Sequence, residues 1–212
     1  MSRVSINVRN PATLDEIADL PAASPAEVCR AVERARLAQA SWRETDVAER
    51  RRLFYRLRDL LLDESEKLAD VMTAETGRPR GDVYGTELFY LCAAIGMWAK
   101  KGPAFLAPEK IRPYFPLVKA KKVEVRYIPR GVIGIISPWN FPLNMTLGEA
   151  LPALFAGNAV IVKPSELTPM SALFGAEIVA KAGFPENLFQ VVTGNGATGE
   201  ALIDQADMIA FT

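Results

Sequence analysis

The sequence predicts an α/β fold in which N-terminal helices and one protruding strand precede a doubly wound, Rossmann-like parallel sheet. From residue 130 onward, short apolar runs of strand length alternate with helical segments. The runs are almost continuously apolar, which is typical of parallel strands buried on both faces and joined by right-handed crossovers. Hydrophobic residues make up 50% of the 212 residues and charged residues 24%. This balance excludes a disordered or fibrous chain and favours a large buried core.

Helical signals dominate the first hundred residues. The sequence SPAE at 24–27 predicts a helix start, because it combines a capping hydroxyl, a proline at the first helical position and a carboxylate three residues after the cap. Asp46 opens a second predicted helix, a third ends at Gly77, and a fourth covers residues 86–101. An arginine run on the second helix is interpreted as a solvated face, with anion binding as the weaker alternative. The run comprises Arg50, Arg51, Arg52, Arg56 and Arg58.

A proline-rich connector and one alternating strand follow these helices. The strand is predicted over residues 119–127, with Val123 and Val125 on one face. Its lysines suit an exposed sheet edge, where they block unwanted strand pairing, and contact with nucleic acid is the weaker interpretation. The lysines are Lys119, Lys121 and Lys122, and the connector prolines are Pro103, Pro108, Pro113 and Pro116.

The second half predicts four strands and three crossover helices in alternation. Ligands of such sheets bind in the crevice beyond the carboxyl ends of the strands, so we expect the chemistry directly after Ile136, Val162 and Val192. The predicted strands cover residues 132–136, 159–162, 188–192 and 208–211, and the predicted helices cover residues 144–155, 168–183 and 197–205.

Composition excludes several classes of function. The 25 basic residues balance the 25 acidic ones, so no strong field attracts nucleic acid or an anionic membrane. The count of histidine is zero, which excludes a Ser-His-Asp triad, a Cys-His pair or a His-ligated metal within this sequence. Cys29 and Cys92 lie far apart in apolar segments, so neither a disulfide framework nor a metal cluster is expected. Without an apolar stretch of signal-peptide or membrane-span length, we expect a cytoplasmic protein with no metal, membrane or nucleic-acid partner.

Polar residues that could carry chemistry follow the first strand of the series. Asn140 lies between two aromatic residues in the proline-rich sequence SPWNFP at 137–142, so its carboxamide is expected to be held in one orientation. A fixed neutral donor stabilises a developing oxyanion without titrating, and loss of one such donor typically lowers rates about 10²- to 10³-fold. An asparagine selected for turn geometry is the competing interpretation.

Two further segments follow the next strands. Lys163 and Glu166 offer a donor and an acceptor suited to ribose hydroxyls, and the carboxylate would repel a 2′-phosphate, which favours NAD over NADP. A surface ion pair of little consequence is the alternative. The sequence GNGATG at 194–199 has the spacing G-x-G-x-x-G, but it follows the third strand. A turn selected for backbone geometry is as good an explanation of it as phosphate binding.

These segments together resemble the aldehyde dehydrogenase superfamily. The resemblance is carried by PRGVIGIISPWNFP at 129–142 and AGNAVIVKPSE at 156–166, and by AGFP at 182–185, the glycine turn, IAFT at 209–212 and ETG at 75–77. It implies that Asn140 is the side-chain oxyanion donor and that the strand at 123–127 serves oligomerisation. The residues implied to bind NAD, with NADP as the alternative, are Ile136, Ser137, Pro138, Trp139, Lys163, Ser165, Glu166, Gly196 and Gly199. Those implied to border the aldehyde tunnel are Phe141, Met145 and Gly148.

The implied reaction is oxidation of an aldehyde to a carboxylic acid with NAD(P). A cysteine thiolate attacks the aldehyde, the asparagine holds the oxyanion of the thiohemiacetal, hydride passes to the nicotinamide, and a glutamate activates water. Neither Cys29 nor Cys92 matches this nucleophile, so we expect the chain to be the N-terminal portion of a longer enzyme and inactive alone. A non-catalytic nucleotide-binding or scaffold module is the alternative.

The resemblance also implies a division of the chain into three parts. Residues 1–118 form the helical part of the NAD-binding domain, residues 119–129 the bridging strand, and residues 130–212 the Rossmann-like part, with the catalytic domain absent. The complete enzyme is expected to be a homodimer or homotetramer.

Overall fold

The structure is a computed structural model that describes residues 4–114 and 121–212. Its elements are, in chain order, β1 (Ser5–Arg9), β2 (Glu16–Pro21), α1 (Pro25–Trp42), α2 (Val47–Asp63), α3 (Ser65–Thr76), α4 (Arg80–Val83), α5 (Phe89–Phe105), β3 (Glu109–Ile111), β4 (Val123–Val125), β5 (Val132–Ile136), α6 (Glu149–Phe155), β6 (Ala159–Lys163), α7 (Pro169–Lys181), β7 (Phe189–Val191), α8 (Gly196–Gln205) and β8 (Met208–Phe211). Single π-helical turns, Tyr84–Leu88 and Asn144–Gly148, lead into α5 and α6.

Capping groups confirm the predicted starts of the first two helices and the predicted end of the third. At the start of α1, the Ser24 side chain accepts a hydrogen bond from the Glu27 amide, and the Glu27 carboxylate accepts one from the Ser24 amide. The Asp46 carboxylate caps α2 in the same way, at 2.7 Å from the Glu49 amide. Gly77 ends α3 at φ +71°, a left-handed conformation that glycine adopts without strain. No described helix combines the length and the apolar character that a bilayer span requires.

A four-stranded parallel sheet in the order β7-β6-β5-β8 organises the second half and confirms the predicted fold class. The chain runs from β5 through α6, β6 and α7 to β7, and α8 then returns it to β8 on the other side of β5. Helices α1 and α8 pack against each other and the sheet, while α6 and α7 join the sheet to α2, α3 and α5. The strand order reverses between β5 and β8, so a ligand crevice is expected at their carboxyl ends.

The arginine run of α2 is only partly a solvated face, because Arg50 is buried. Its guanidinium donates to the main-chain oxygens of Phe155 at 2.9 Å, Trp42 at 3.1 Å and Arg43 at 2.9 Å, and it lies 5.4 Å from the centroid of the Trp42 ring. The interpretation of this residue as solvated was therefore wrong. Arg50 thus donates hydrogen bonds to carbonyl groups at the ends of α1 and α6, where helix geometry leaves the last carbonyls without intrahelical partners.

Two hairpins modify the predicted first half. The antiparallel pair of β1 and β2 was not predicted, although Ile6 and Val8 alternate with exposed residues and are buried. The predicted strand at 119–127 is shorter than expected, with Val123–Val125 paired to Glu109–Ile111. Lys119 lies outside the described residues. The connector also begins later than predicted, because Pro103 is inside α5.

Candidate functional site

The loop after β5 begins at the carboxyl edge of the sheet, next to β6. Ile136 ends β5, and the Ser137 amide donates to the Lys163 carbonyl oxygen at 3.2 Å. The Ser137 hydroxyl is buried and has no hydrogen-bond partner within residues 4–114 and 121–212. Pro138 is half-buried, and Trp139 is 59% exposed. The loop thus carries its side chains from the sheet interior to the surface within a few residues.

Asn140 is exposed beside a cavity of about 410 Å³. A cavity of this volume is within the range of small-molecule sites. No described residue makes a hydrogen bond to the Asn140 carboxamide, whereas its main-chain oxygen accepts from Arg78 Nη1 at 3.2 Å. The main chain is therefore held while the carboxamide can act as a donor. The other lining residues are Asn7, Arg9, Pro11, Glu75, Thr76, Arg78, Trp139, Leu167 and Thr168.

The three residues predicted to border a substrate tunnel line a second cavity together. Phe141, Met145 and Gly148 contribute to a groove of about 450 Å³. A Cβ at Gly148 would lie 3.7 Å from the Asn144 Oδ1 atom, which is an ordinary contact, so the small residue leaves modest extra space there. The remaining lining residues are Thr86, Tyr90, Ala94, Met97, Trp98, Asn144, Glu149 and Pro152. Asn140 and Phe141 thus face two different cavities from adjacent positions in one loop.

Several residues predicted to bind the cofactor meet at the carboxyl edge of the sheet. A Cβ at Gly199 would lie 3.6 Å from Lys163 Cδ and 3.7 Å from Ile136 Cδ1. The Lys163 side chain is only 8% exposed, and its Nζ atom lies 3.5 Å from Glu166 Oε2, whose side chain is 52% exposed. The Ser165 hydroxyl accepts from the Leu167 amide at 3.2 Å. Neither of the two cavities described above is lined by these residues, although Leu167 and Thr168 directly follow Glu166.

The glycine turn before α8 has a structural reason for its first glycine. A Cβ at Gly194 would lie 1.9 Å from Thr198 Oγ1, and that hydroxyl donates to the Ala23 carbonyl oxygen. The Asn195 side chain caps α8 by accepting from the Ala197 amide at 3.1 Å. Gly196 is open, because a Cβ there would meet no described heavy atom within 4 Å. Packing against Thr198 therefore leaves no room for a side chain at position 194, whereas Gly196 is accessible to a ligand.

Glu75 is a buried carboxylate that was not predicted to be functional from the sequence. It reaches from the end of α3 to the start of α7, where it accepts hydrogen bonds from the Met170 amide at 2.8 Å, the Ser171 amide at 2.9 Å and the Ser171 hydroxyl. It therefore caps α7 in place of Thr168, whose side chain makes no capping bond. Burial nevertheless raises the pKa of Glu75 to about 7, against the effect of these donors.

The buried Glu87 and the partly buried Arg78 form a second polar pair that the sequence did not reveal. The Glu87 side chain is 0% exposed, and its oxygens accept from Arg78 Nη1 at 3.3 Å and from the Asn144 amide at 2.9 Å. Burial raises the pKa of Glu87 to about 7, while the Asn144 amide and Arg78 act in the opposite direction. Both residues come from the stretch between α3 and α5, and no periodic pattern marks them.

The two cysteines are half-buried free thiols. Burial raises the pKa of Cys92 to about 11, so this thiol stays protonated near neutral pH. Cys29 Sγ lies 3.8 Å from Glu33 Oε1 on the same helix. Neither thiol contributes to the lining of the two cavities beside the loop.

Comparisons with known proteins agree on one family. The model of the aldehyde dehydrogenase family matches residues 1–212. A Mycolicibacterium smegmatis protein, named provisionally as a succinate-semialdehyde dehydrogenase using NADP(+), is 37% identical over 198 residues, which cover 93% of this chain and 38% of the relative. A Mycobacterium tuberculosis protein with a similar name is 38% identical over 207 residues, covering 94% and 39%. The chain thus spans about two fifths of the length of these relatives.

Solved structures give the same result. An aldehyde dehydrogenase from Bacillus cereus, solved as its NAD+ complex, superposes with a TM-score of 0.91 at 31% identity, covering 98% of this chain and 42% of that one. An NAD-dependent benzaldehyde dehydrogenase from Corynebacterium glutamicum gives 0.90 at 32% identity, covering 99% and 46%. An E. coli enzyme described as NADP dependent gives 0.91 at 33% identity, covering 98% and 43%.

Proposed function

The chain belongs to the aldehyde dehydrogenase family, and from this we propose that it forms the cofactor-binding part of an NAD(P)-dependent enzyme that oxidises an aldehyde to a carboxylic acid. The observation that carries the proposal is the position of Asn140, which is exposed beside a cavity on the loop that leaves β5. Lys163 and Gly199 meet Ile136, the last residue of the same strand. The carboxamide donor and the polar groups of Lys163 are thus attached to the same carboxyl end of the sheet, respectively four residues after Ile136 and directly beside it in the register.

The residues at this edge fit a dinucleotide. The Lys163 ammonium is nearly buried with Glu166 beside it, an arrangement suited to two neighbouring ribose hydroxyls. The Ser137 hydroxyl is a buried group without a partner among the described residues, and Gly196 leaves room for a ligand. In this proposal these residues bind the cofactor together with Pro138, Trp139, Ser165 and Gly199. When bound, NAD(P) supplies the acceptor for the hydride of the aldehyde.

The cofactor preference follows from Glu166. Its carboxylate stands where the 2′-hydroxyl of the ribose is proposed to bind, so a 2′-phosphate would meet a negative charge. Lys163 partly offsets that repulsion, because its ammonium lies 3.5 Å from the Glu166 carboxylate. We therefore propose that the enzyme prefers NAD and retains measurable activity with NADP.

In the proposed reaction, the Asn140 carboxamide N–H donates a hydrogen bond to the aldehyde oxygen as that oxygen becomes negatively charged. The donor is neutral and its main chain is fixed, so it stabilises the oxyanion without reorganisation. Neither Cys29 nor Cys92 lines the cavities beside the Asn140 loop, so in this proposal the nucleophilic cysteine and the glutamate base of the family reaction are residues outside this sequence. The aldehyde approaches along the groove formed by Phe141, Met145 and Gly148.

We also propose how the chain is organised within the complete enzyme. Residues 1–118 and 130–212 build the NAD-binding domain, and the segment 119–129 bridges subunits of a cytoplasmic homodimer or homotetramer. The support for the bridging role is the hairpin of β3 and β4, in which Ile111, Val123 and Val125 are apolar and exposed. Exposed apolar strands of this kind are typical of surfaces that associate.

The proposed function is tested by measuring NAD(P) reduction by the protein that carries these residues together with a catalytic domain. A panel of aldehydes should include succinate semialdehyde, benzaldehyde and short aliphatic aldehydes, because the named relatives differ in substrate. We expect reduction of NAD with at least one of them. Binding of NAD by calorimetry without any reduction would favour the non-catalytic module, and an absence of both would contradict the proposal.

A further inference from the structure

The segment between α3 and α5 holds the Asn140 loop at several points. Arg78 Nη1 donates to the Asn140 main-chain oxygen at 3.2 Å, and the Arg78 guanidinium carbon lies 4.9 Å from the centroid of the Phe141 ring. Beyond Phe141, the Asn144 amide donates to Glu87 at 2.9 Å, and the Asn144 side chain donates to the Thr86 carbonyl oxygen at 2.8 Å. The loop is therefore fixed on both sides of Phe141.

Arg78 is itself held in one geometry. Its Nε atom donates to Asp82 Oδ2 at 2.6 Å, its Nη2 atom to Thr86 Oγ1 at 2.5 Å, and its Nη1 atom to Glu87 Oε1 at 3.3 Å. The side chain is only 19% exposed, and that of Glu87 is 0% exposed. A planar guanidinium has five N–H donors, so it can make these bonds and still reach the Asn140 carbonyl and the Phe141 ring. A lysine ammonium is a compact point charge and lacks this forked arrangement of donors.

We propose that Arg78 is a positioning residue: it holds the main chain of Asn140, and through it the direction of the carboxamide, while it also fixes the Phe141 ring at the wall of the second cavity. The inference rests on the function proposed for Asn140. An oxyanion donor is effective only when it is pre-aimed at the position of the developing charge. A displacement of about 1 Å at a reacting centre can lower a rate about 10²-fold. Arg78 acts through Asn140 and does not touch the reacting atoms.

The test is a double-mutant cycle in the active enzyme with Arg78→Met and Asn140→Ala. We expect Arg78→Met to lower kcat about 10- to 100-fold, with the KM for the aldehyde and the Kd for NAD changed less than about threefold. Because both changes remove the same aimed donor, the double variant should be no slower than Asn140→Ala alone. A residue that only supports the fold would lower activity by the same factor in either background.

Arg80→Met is the matched control. Arg80 lies two residues further along, and it pairs with Glu66 and Asp70 on the surface of α3 instead of with the loop. We expect its kcat to equal that of the wild type. If Arg78→Met does not fold, Arg78→Lys replaces it, because the lysine keeps a charge beside Glu87 but loses the fork. The lysine variant is expected to lose about tenfold in kcat and to show the same non-additivity.

A second readout does not depend on turnover. In the isotopically labelled chain, the side-chain amide resonances of Asn140 should shift or broaden in Arg78→Met or Arg78→Lys and remain unchanged in Arg80→Met. Unchanged Asn140 resonances, or an additive cycle in an enzyme that oxidises aldehydes, would overturn the role of Arg78 while leaving the proposed function intact. Failure of the wild-type enzyme to oxidise any aldehyde would instead overturn the proposed function itself.

Discussion

At the scale of single residues, the Asn140 carboxamide combines a fixed main chain with an unused donor group. Its exposure beside the 410 Å³ cavity separates it from Asn144, whose side chain is engaged with the Thr86 carbonyl. Two asparagines four residues apart in the sequence thus have different roles. Asn144 anchors the start of the helical segment, and Asn140 remains available to a substrate.

We expect Asn140→Ala to lower turnover of the complete enzyme at least about 10²-fold, because one oxyanion donor is lost. The affinity for NAD should hardly change, since Asn140 is not among the residues proposed to hold the cofactor. Steady-state kinetics and calorimetric titration measure the two quantities. Turnover at the wild-type rate in this variant would show that Asn140 serves turn geometry only.

Glu166→Ala should raise the Kd for NAD and reduce the difference between the affinities for NAD and NADP. The change removes an acceptor for ribose hydroxyls and also the charge that opposes a 2′-phosphate. Glu177→Ala is a suitable control, because Glu177 is an exposed carboxylate of α7 whose ion pair with Lys67 is long, at 3.8 Å. Identical cofactor constants in Glu166→Ala and Glu177→Ala would count against the assignment.

The buried carboxyl of Glu75 predicts a pH dependence of stability. Its pKa is about 7 in the folded state against 4.5 for an ordinary glutamate, so between these values the folded chain retains a proton that the unfolded chain has lost. Stability therefore falls as the pH rises from 4.5 to 7, by at most about 1.4 kcal/mol per pH unit for this group. Glu87 contributes in the same direction.

Glu75→Gln should flatten this decline, because the substituted side chain does not titrate. Urea unfolding between pH 4.5 and 7.5 measures the slope for the wild type and the variant. Parallel slopes would mean that the native pKa of Glu75 is near its unfolded value and that the donors of α7 fully offset the effect of burial.

At the scale of elements, the contact between α5 and α6 depends on a glycine. A Cβ at Gly102 would lie 2.3 Å from a ring carbon of Phe155, which is buried in the core. One position on α5 thus sets how closely this helix approaches α6. Pro103 directly follows it near the end of the helix.

Gly102→Ala should destabilise the chain by about 1 to 3 kcal/mol, since the new methyl group overpacks against Phe155. Gly96→Ala on the same helix is the control, because a Cβ there meets no described heavy atom within 4 Å. Alanine in place of an unhindered helical glycine is stabilising by up to about 1 kcal/mol. Denaturant unfolding of both variants measures the difference, and equal stabilities would contradict the proposed close packing.

The elements that the sequence predicted correctly share strong local signals. Side-chain caps mark the starts of helices α1 and α2, and nearly continuous apolar runs mark the strands of the parallel sheet. The hairpin of β1 and β2 was missed because only Ile6 and Val8 mark its buried face. The strand at β4 was predicted too long, because alternation alone does not show how far a partner strand extends.

At the scale of the whole molecule, hydrogen bonds connect segments that are far apart in the sequence at the amino end of the parallel strands. Asp207 precedes β8 and accepts from Arg36 of α1 at 2.6 Å and from the Val132 amide at 2.8 Å. These bonds join the first long helix to the first and last strands of the parallel sheet. The proposed ligand site lies at the opposite, carboxyl edge, while the hairpin of β3 and β4 presents exposed apolar residues.

Val125→Lys tests the proposed bridging role of that hairpin. Val125 stands opposite Glu109 in the antiparallel register, so a lysine there can pair across the strands and preserve the hairpin. We expect a lower oligomer mass by light scattering and an unchanged far-UV spectrum. Leu37→Lys, at an exposed apolar position of α1, should leave the mass unchanged. An unchanged mass in Val125→Lys would contradict the bridging role.

The sequence by itself determined the fold class, most helix boundaries and the loops in which chemistry was expected, because caps, apolar periodicity and the alternation of strands with helices are properties of local sequence. Only the tertiary structure decided which polar side chains are buried and which remain available. The hydrogen-bond partners of Arg78, Glu75 and Glu87 include residues that lie far away in the sequence. Glu75 and its partner Ser171, for example, are 96 residues apart. Burial depends on such long-range contacts, and a pattern read along the chain contains no information on where its neighbours come from.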